Sequence, residues 1–141
     1  MANVIPYAFR GELLSGTHDF SSGGDSFKFA LYTSSPYTTA STAYSATNEV
    51  SASGTGYTTT GNTLSGNAVA YSTAVASCDF DDTAWTTATF TAAFGAIYND
   101  DQSDKLCVVL DFSGNKTCTN GTFTVSFPSP ATAADAIISM A

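Results

Sequence analysis

The chain has 141 residues, enough for one domain with a sizeable core, and 43% of them are apolar. Only 11% are charged, far below the roughly 25% of ordinary soluble domains, so its surface is either neutral and polar or covered by other subunits. The net charge of −8, with only four scattered cations (Arg10, Lys28, Lys105 and Lys116), argues against nucleic acid as a partner.

The N-terminal segment, residues 1–20, shows no periodic apolar pattern and is predicted to form an arm that is extended over residues 1–8. Residues 9–14 fit a single helical turn or a short strand, because Gly11 and Gly16 argue against a long helix. The start lacks the cationic region and unbroken apolar run of a signal peptide, and no stretch approaches the ~18–20 apolar residues of a membrane helix. We therefore expect no membrane partner.

The clearest strand is predicted at residues 27–33, where Phe27, Phe29 and Leu31 alternate with Lys28, Ala30 and Tyr32. Successive strand side chains point to opposite faces, so this pattern indicates a sheet with one face in a core. Ser, Thr, Ala, Gly and Tyr then dominate residues 34–66, with almost no charge. A connection this long is unusual within a compact domain.

We therefore expect the long loop, residues 34–66, to lie against a partner rather than in water. Tyrosine is enriched at interfaces because its ring is apolar and its hydroxyl forms hydrogen bonds. The candidate interface residues are Pro36, Tyr37, Tyr44, Val50 and Tyr57.

Further strand-like patterns occur at residues 67–80, 83–98, 106–112 and 122–127, with a last edge strand at 136–140. Turns are expected at residues 81–83, 99–105 and 113–120, and the strands on either side of residues 99–105 are predicted to form a hairpin. Short strands at intervals of about ten residues predict an all-β single domain over residues 1–141, a β-sandwich or jelly-roll-like fold. The expected core includes Phe27, Phe29, Leu31, Val108, Leu110, Phe123 and Val125.

Residues suited to catalysis are few. His18 is the only histidine, and no GxSxG nucleophile motif accompanies it. A packed or surface histidine is the simpler interpretation, and we expect no enzyme activity. Cys78, Cys107 and Cys118 have none of the spacings of a zinc site, so we expect reduced thiols, no metal and no cofactor.

Two acidic clusters, residues 79–82 and 99–104, leave alternatives open. Their oxygen ligands are of the type that calcium prefers, although the second cluster lacks the glycine and the distal glutamate of an EF-hand loop. Paired carboxylates of a glycosidase are a further alternative, and solvated turns are the simplest one. Trp85, with Tyr37, Tyr44 and Tyr57, is a candidate sugar-stacking platform or, alternatively, a set of core and interface anchors.

Four segments carry a resemblance to a known family: SFKFALYTSS, NEVSASGTGYTTTGNTLSG, WTTATFTAAFGAIYND and LDFSGNKTCTNGTFTVSFP. Together they resemble the capsid cement or decoration proteins of tailed bacteriophages. The resemblance implies a homotrimer, assembled in the host cytoplasm, that clamps neighbouring major capsid protein subunits on the outer surface of the capsid. Another virion position, such as the head–tail junction or the tail, and a carbohydrate-binding or adhesive β-sandwich are the alternatives.

Overall fold

The structure, a computed structural model, describes residues 2–71, 74–128 and 136–140. These residues form one helix and seven strands, in the order α1 (Tyr7–Leu14), β1 (Phe27–Tyr32), β2 (Asn62–Thr63), β3 (Ala68–Tyr71), β4 (Ala76–Asp79), β5 (Thr83–Asn99), β6 (Lys105–Val125) and β7 (Ile138–Met140). Every strand pairing is antiparallel. The predicted all-β class is confirmed.

The strands form two sheets. The large sheet has four strands in the order β2-β1-β5-β6, and the small sheet has three in the order β3-β4-β7. In the large sheet, β5 and β6 form a long hairpin in which Asn99 pairs with Lys105 beside the turn. The predicted hairpin around residues 99–105 is therefore confirmed.

The main core joins the helix and both sheets in one apolar cluster. Phe9 of α1, Phe29 of β1 and Ile138 of β7 all belong to it. Close packing excludes side chains at Gly95, where a Cβ atom would collide with the ring of Phe29. The predicted core is confirmed for the buried side chains of Phe27, Phe29, Leu31, Val108 and Phe123, and Leu110 and Val125 pack against the cluster while partly exposed.

A second cluster covers the opposite face of the large sheet. Tyr32 and Tyr98 of the sheet are buried there against Tyr37 of the long loop. Strand β1 is therefore covered on both faces, whereas its alternation predicted only one buried face. Apolar patterning could not show this, because aromatic rings with satisfied hydroxyls cover the second face.

The strands differ from the predicted ones at three places, two in their boundaries and one in a bulge. Within residues 67–80 the described residues form two antiparallel strands, β3 and β4, rather than one strand, and residues 72–73 of the predicted strand lie outside the described residues. Strand β6 continues through the predicted turn at residues 113–120, with positive φ angles of 57° at Ser113 and 50° at Asn120. In β5, a φ of 55° at Thr87 accompanies a register shift between Trp85 and Ala88. That bulge moves Trp85 to the buried side.

The predicted N-terminal arm is wrong for the described residues from Val4 onward. Val4 exchanges two backbone hydrogen bonds with Val109, of 2.8 and 2.9 Å. Tyr7 and Ala8 are helical rather than extended, whereas residues 9–14 are helical, one of the two predicted alternatives, and Phe9 of this helix is fully buried. Phe20 stacks on Phe27 with 4.4 Å between ring centroids. Burial of these rings outweighs the low helix propensity of Gly11, so the segment belongs to the fold.

Candidate functional site: an apolar face on the helix and the small sheet

The candidate interface residues of the long loop lie mostly inside the chain's own core. Tyr37, Val50 and Tyr57 are buried, while Pro36 and Tyr44 are half-buried. The backbone N–H of Val50 also donates to the carbonyl of Leu31 at 2.9 Å. This corrects the expectation that the loop is free to lie against a partner: it lies against its own large sheet.

Glu49 holds the loop in place. Its Oε2 accepts a hydrogen bond from the hydroxyl of Tyr44 at 2.6 Å, and its Oε1 accepts from Tyr57 at 2.7 Å and from the Thr60 backbone at 2.8 Å. Tyr57 in turn accepts the backbone N–H of Leu31 at 3.0 Å, which links the loop to β1. Burial and the neighbouring Glu49 carboxylate raise the pKa of both tyrosines. Glu49 is the only charged residue of the loop, and it is not among the interface candidates predicted from the sequence.

A tyrosine pair closes the other end of the loop. The hydroxyls of Tyr32 and Tyr37 are 2.7 Å apart, and the Ser45 backbone N–H donates to Tyr37 at 2.9 Å. Burial raises the pKa of Tyr32 and of Tyr37, so both hydroxyls keep their protons for these bonds. The loop is therefore ordered by hydrogen bonds within the chain.

His18 lies in a buried polar network that ties the N-terminal segment to the β5–β6 turn. Its Nε2 is 3.0 Å from Glu12 Oε2, and Lys105 Nζ donates to Glu12 Oε1 at 2.7 Å. The Asn99 amide donates to His18 Nδ1 at 2.9 Å and to Asp25 at 2.7 Å. Burial raises the pKa of Glu12, but the hydrogen bonds from Lys105 and His18 outweigh it and leave that pKa lowered.

The orientation of Asn99 determines what His18 can do. Its Oδ1 accepts backbone N–H bonds from Asp101 and Gln102, so its amide nitrogen must face His18. His18 Nδ1 is therefore the acceptor, and Nε2 carries the proton that it donates to Glu12. Because the His18 side chain is 0% exposed, neither ring nitrogen is directed at a substrate. His18 is a packed histidine with a structural role.

The two acidic clusters mostly form hydrogen bonds within the fold. Asp101 accepts the backbone N–H of Ser26 at 2.7 Å, Asp82 accepts that of Phe127 at 2.8 Å, and Asp100 pairs with Lys28 at 3.1 Å. Within the residues that the structure describes, no group of three or more His, Cys, Asp or Glu side chains is placed to hold a metal ion.

Asp79 is an exception, because it is 1% exposed and only partly satisfied. Its Oδ1 accepts the Phe80 backbone N–H at 2.9 Å, whereas its Oδ2 has no hydrogen-bond partner among the described residues. Burial raises its pKa, with Asp82 and Asp81 adding in the same direction. The folded state therefore favours the protonated carboxyl, which stabilises the fold at acid pH and ceases to do so as pH rises through the raised pKa.

We expect Asp79→Asn to stabilise the protein at neutral pH by roughly 1–3 kcal/mol, because it removes a buried, partly unsatisfied carboxylate. The gain should shrink toward zero below about pH 4, where an unfolded aspartate is also protonated. Urea unfolding from pH 3.5 to pH 7.5 measures it, with the exposed Asp104→Asn as the control. A gain that is equal at all pH values would contradict this account of Asp79.

Of the two alternatives for Trp85 and the three tyrosines, burial supports core anchors and not a sugar-stacking platform. Trp85 is buried, and Tyr57 stacks on it inside the core with 5.7 Å between ring centroids. Tyr37 is buried as well, and Tyr44 packs against Tyr98 with 4.7 Å between centroids. These rings present no coplanar exposed surface for a sugar.

The three cysteines are free thiols, as predicted, and two of them, Cys78 and Cys107, are buried. Burial and the neighbouring Asp79 raise the pKa of Cys78 to about 12, and burial raises the pKa of Cys107 well above its ordinary value. Neither thiol forms the reactive thiolate at neutral pH.

Among the described residues, the large apolar side chains that are exposed lie just before α1, on α1 and on the small sheet: Ile5, Tyr7, Leu14, Val69, Tyr71 and Met140. We define this apolar face by Ile5, Leu14, Val69, Tyr71 and Met140. Leu14 is 93% exposed and Tyr71 86% exposed, so both side chains lie almost entirely in water. Val69 and Tyr71 are two residues apart on β3 and therefore share a face of the small sheet, but alternation does not show what covers that face.

Two shallow depressions make the apolar face continuous. One, of about 360 Å³, lies between α1 and β7 and is bordered by Ile5, Leu14 and Met140. The other, of about 390 Å³, is bordered by Val69 and again by Met140. Leu13 and Ile138 line both depressions, so the face runs from the helix across the small sheet.

Arg10 and Asp19 are the charged side chains that line these depressions. The Arg10 guanidinium stacks over the Tyr7 ring at 5.2 Å and donates to the Ile5 carbonyl at 3.3 Å. Most of the other residues that line the depressions are apolar, and protein interfaces likewise combine an apolar core with a polar rim.

None of the helices in the described part of the chain is long and apolar enough to cross a membrane. No family model, no curated protein and no solved structure matches this chain.

Proposed function

We propose that this chain is a non-enzymatic structural protein of a tailed-bacteriophage virion, a capsid cement or decoration protein that binds neighbouring protein subunits through its apolar face. The observation that carries the proposal is that face, on a chain with only 11% charged residues. Contiguous exposed apolar patches on soluble proteins mark interaction sites. The sequence resemblance to phage decoration proteins supports the choice of a virion as the setting.

The apolar face is either exposed to water or covered by a partner subunit. Leu14, Tyr71 and Met140 expose apolar area that gains roughly 25 cal/mol for each Å² removed from water. Permanent interfaces resemble a domain core cut in half and are depleted of charge. A partner subunit seated on α1 and the small sheet would therefore complete the burial that the monomer lacks.

We further propose that the chain forms a homotrimer on the outer surface of the capsid, where each protomer contacts the major capsid protein. We also propose that the two antiparallel sheets pack as a β-sandwich of the jelly-roll type around the shared core. In this arrangement the long loop stiffens the large sheet, and the apolar face makes the contacts. The loop thus has a structural role rather than the clamping role expected from its composition.

Co-sedimentation tests the proposal. Shells assembled from the major capsid protein of the phage that encodes this chain are mixed with the wild type, with Leu14→Asp, and with the control Thr59→Asp, which changes an exposed residue of the long loop. Burying a leucine is worth about 1.5–3 kcal/mol, so Leu14→Asp should weaken shell binding at least tenfold. The wild type and Thr59→Asp should sediment with the shells.

Shell binding by Leu14→Asp at wild-type affinity would contradict the role of the apolar face. A wild type that stays in the supernatant at all concentrations would contradict the decoration function itself. Binding to a glycan array in place of the shells would favour the adhesive alternative.

A further inference from the structure

Strand β6 has a bulge at residues 119–120. Cys118 and Gly121 have partners on β5, whereas the two residues between them stand opposite Thr89 alone. Within the bulge, Asn120 has a positive φ of 50°, and its backbone N–H donates to the Thr89 hydroxyl oxygen at 2.9 Å. A bulge leaves its extra residue outside the regular ladder. Asn120 therefore lies where the pairing of β5 and β6 is interrupted.

The side chain of Asn120 is free to rotate. It is exposed, and its carboxamide forms no hydrogen bond with another residue that the structure describes. The carboxamides of Asn62, Asn67 and Asn99, by contrast, donate hydrogen bonds of 2.7–3.0 Å within the fold. A carboxamide that is held in this way cannot turn its carbon atom toward the main chain, whereas an unbonded one can change rotamer and do so.

The residue that follows Asn120 distinguishes it from the other unbonded asparagines. Asn48 and Asn115 are also exposed and form no side-chain hydrogen bond in the described part of the chain, but Glu49 and Lys116 follow them. A side chain on the following residue hinders the approach of its backbone nitrogen to the asparagine carboxamide. Glycine has no side chain and is conformationally permissive, so it allows this approach.

We propose that Asn120 is a site of spontaneous deamidation, a covalent modification that converts it to isoaspartate and aspartate. The backbone nitrogen of Gly121 loses its proton and attacks the carboxamide carbon of Asn120. A new N–C bond forms, the bond to the amide nitrogen breaks, and ammonia leaves. The succinimide ring that remains adds a water molecule at either of its carbonyl carbons. Opening at one carbon gives aspartate, and opening at the other gives isoaspartate, whose main chain runs through the side-chain carbon. Water is the only co-reactant.

The two products differ in their effect on the fold. Both add a negative charge to a chain whose net charge is already −8. Isoaspartate also lengthens the main chain by one carbon atom within the bulge. Farther along β6, Phe123 pairs with Trp85 and packs on Phe90 with 4.9 Å between ring centroids. A longer bulge displaces Phe123 from this close-packed position, so the isoaspartate form should be less stable than the aspartate form.

Incubation of the folded protein, followed by peptide mass spectrometry, tests the proposal. Asn120 of the wild type should change from amide to acid, and faster at alkaline than at mildly acidic pH, because the attacking nitrogen must lose its proton. Gly121→Ala is the matched variant. Gly121 does not have a positive φ, and the nearest contact of an added Cβ would be the Cys118 Sγ at 3.3 Å. This variant should react roughly tenfold more slowly, which corresponds to a barrier higher by about 1.4 kcal/mol.

Two further variants and an internal control complete the test. Asn120→Gln keeps an exposed carboxamide and the following glycine but moves the carboxamide carbon one bond farther away, so it should retain its amide. Asn115, in the same samples, should also retain its amide. Asn120→Asp has the added charge without the longer main chain, so it should melt at a higher temperature than the isoaspartate fraction of the aged wild type. Circular dichroism checks that each variant is folded.

The products identify the route. A protease that cleaves beside aspartate but not beside isoaspartate should show both products at position 120 of the wild type. An amide that persists at Asn120 under all conditions would overturn the proposal, and so would equal reaction at Asn115 and Asn120. Equal rates for the wild type and Gly121→Ala would exclude attack by the Gly121 nitrogen. Aspartate without any isoaspartate would indicate direct hydrolysis and would overturn the succinimide route.

Discussion

Phe29→Ala is expected to lower the free energy of unfolding by about 3–5 kcal/mol, because it leaves a cavity at the centre of the main core. Phe29 is 0% exposed and meets Phe127 edge to face with 5.5 Å between ring centroids. Gly95 leaves room for this ring, since a Cβ atom there would collide with it, and the alanine variant would leave that space empty. Because small domains have only about 5–15 kcal/mol of stability, the variant should be close to unfolded at physiological temperature.

Urea and thermal unfolding measure this change. Leu14→Ala is the matched control, because it also truncates a large apolar side chain to alanine but at an exposed position of α1. The control should stay within about 0.5 kcal/mol of the wild type. Equal unfolding midpoints for Phe29→Ala and the wild type would show that the core is assigned to the wrong residues.

Glu49→Ala is expected to lower the free energy of unfolding by about 2–4 kcal/mol and to loosen the long loop, because three donors lose one acceptor group. The loss is largest for the hydroxyl of Tyr57, because it is buried in the core. This hydroxyl also accepts a hydrogen bond from the backbone N–H of Leu31 on its other side. Glu49→Gln is the control: its amide oxygen can accept from Tyr57 and Thr60, and its amide nitrogen can donate to Tyr44. That variant should lose only about 1 kcal/mol.

Two measurements separate the loop from the rest of the fold. Hydrogen exchange should show lost protection around residues 44–60 in Glu49→Ala while the β5–β6 hairpin keeps its protection. Absorbance titration should show tyrosines ionising at lower pH in both variants, because the Glu49 carboxylate helps to raise the pKa of Tyr44 and Tyr57. Unchanged exchange and titration in Glu49→Ala would mean that other contacts hold the loop.

The alternating strands were the most predictable part of this fold. Phe27, Phe29 and Leu31 share a face because strand geometry has a period of two, and the pattern located β1 to within one residue. The β5–β6 hairpin was also predictable, because a polar turn separates two apolar strands. Both predictions rest on local pattern alone.

Features that depend on distant contacts were not predictable in this way. The residues between β3 and β4 include no Gly, Pro or Asn to indicate that the predicted strand at residues 67–80 is divided in two. The helix α1 is short and is held by Phe9 in the core, which no local pattern shows. Nothing in the sequence indicates the positive φ angle of Thr87, a β-branched residue. The accompanying register shift nevertheless determines on which side of the large sheet Trp85 lies.

The candidate site was also predictable only in part. The uncharged loop was noticed, but composition cannot distinguish a partner surface from a loop that packs on its own sheet. Glu49 was the available signal, because a lone acid among tyrosines in an uncharged loop suggests an internal hydrogen-bond acceptor. The apolar face was not predictable, because periodicity assigns side chains to a face and only the fold shows which of those faces is left uncovered.

Hydrogen exchange of the chain bound to phage shells, compared with the free chain, tests the central claim most directly. If the apolar face makes the contacts, binding should slow exchange in residues 5–14, 68–71 and 138–140 and leave residues 37–60 unchanged. Slowed exchange confined to residues 34–66, with the apolar face unchanged, would contradict the account and return the clamping role to the long loop.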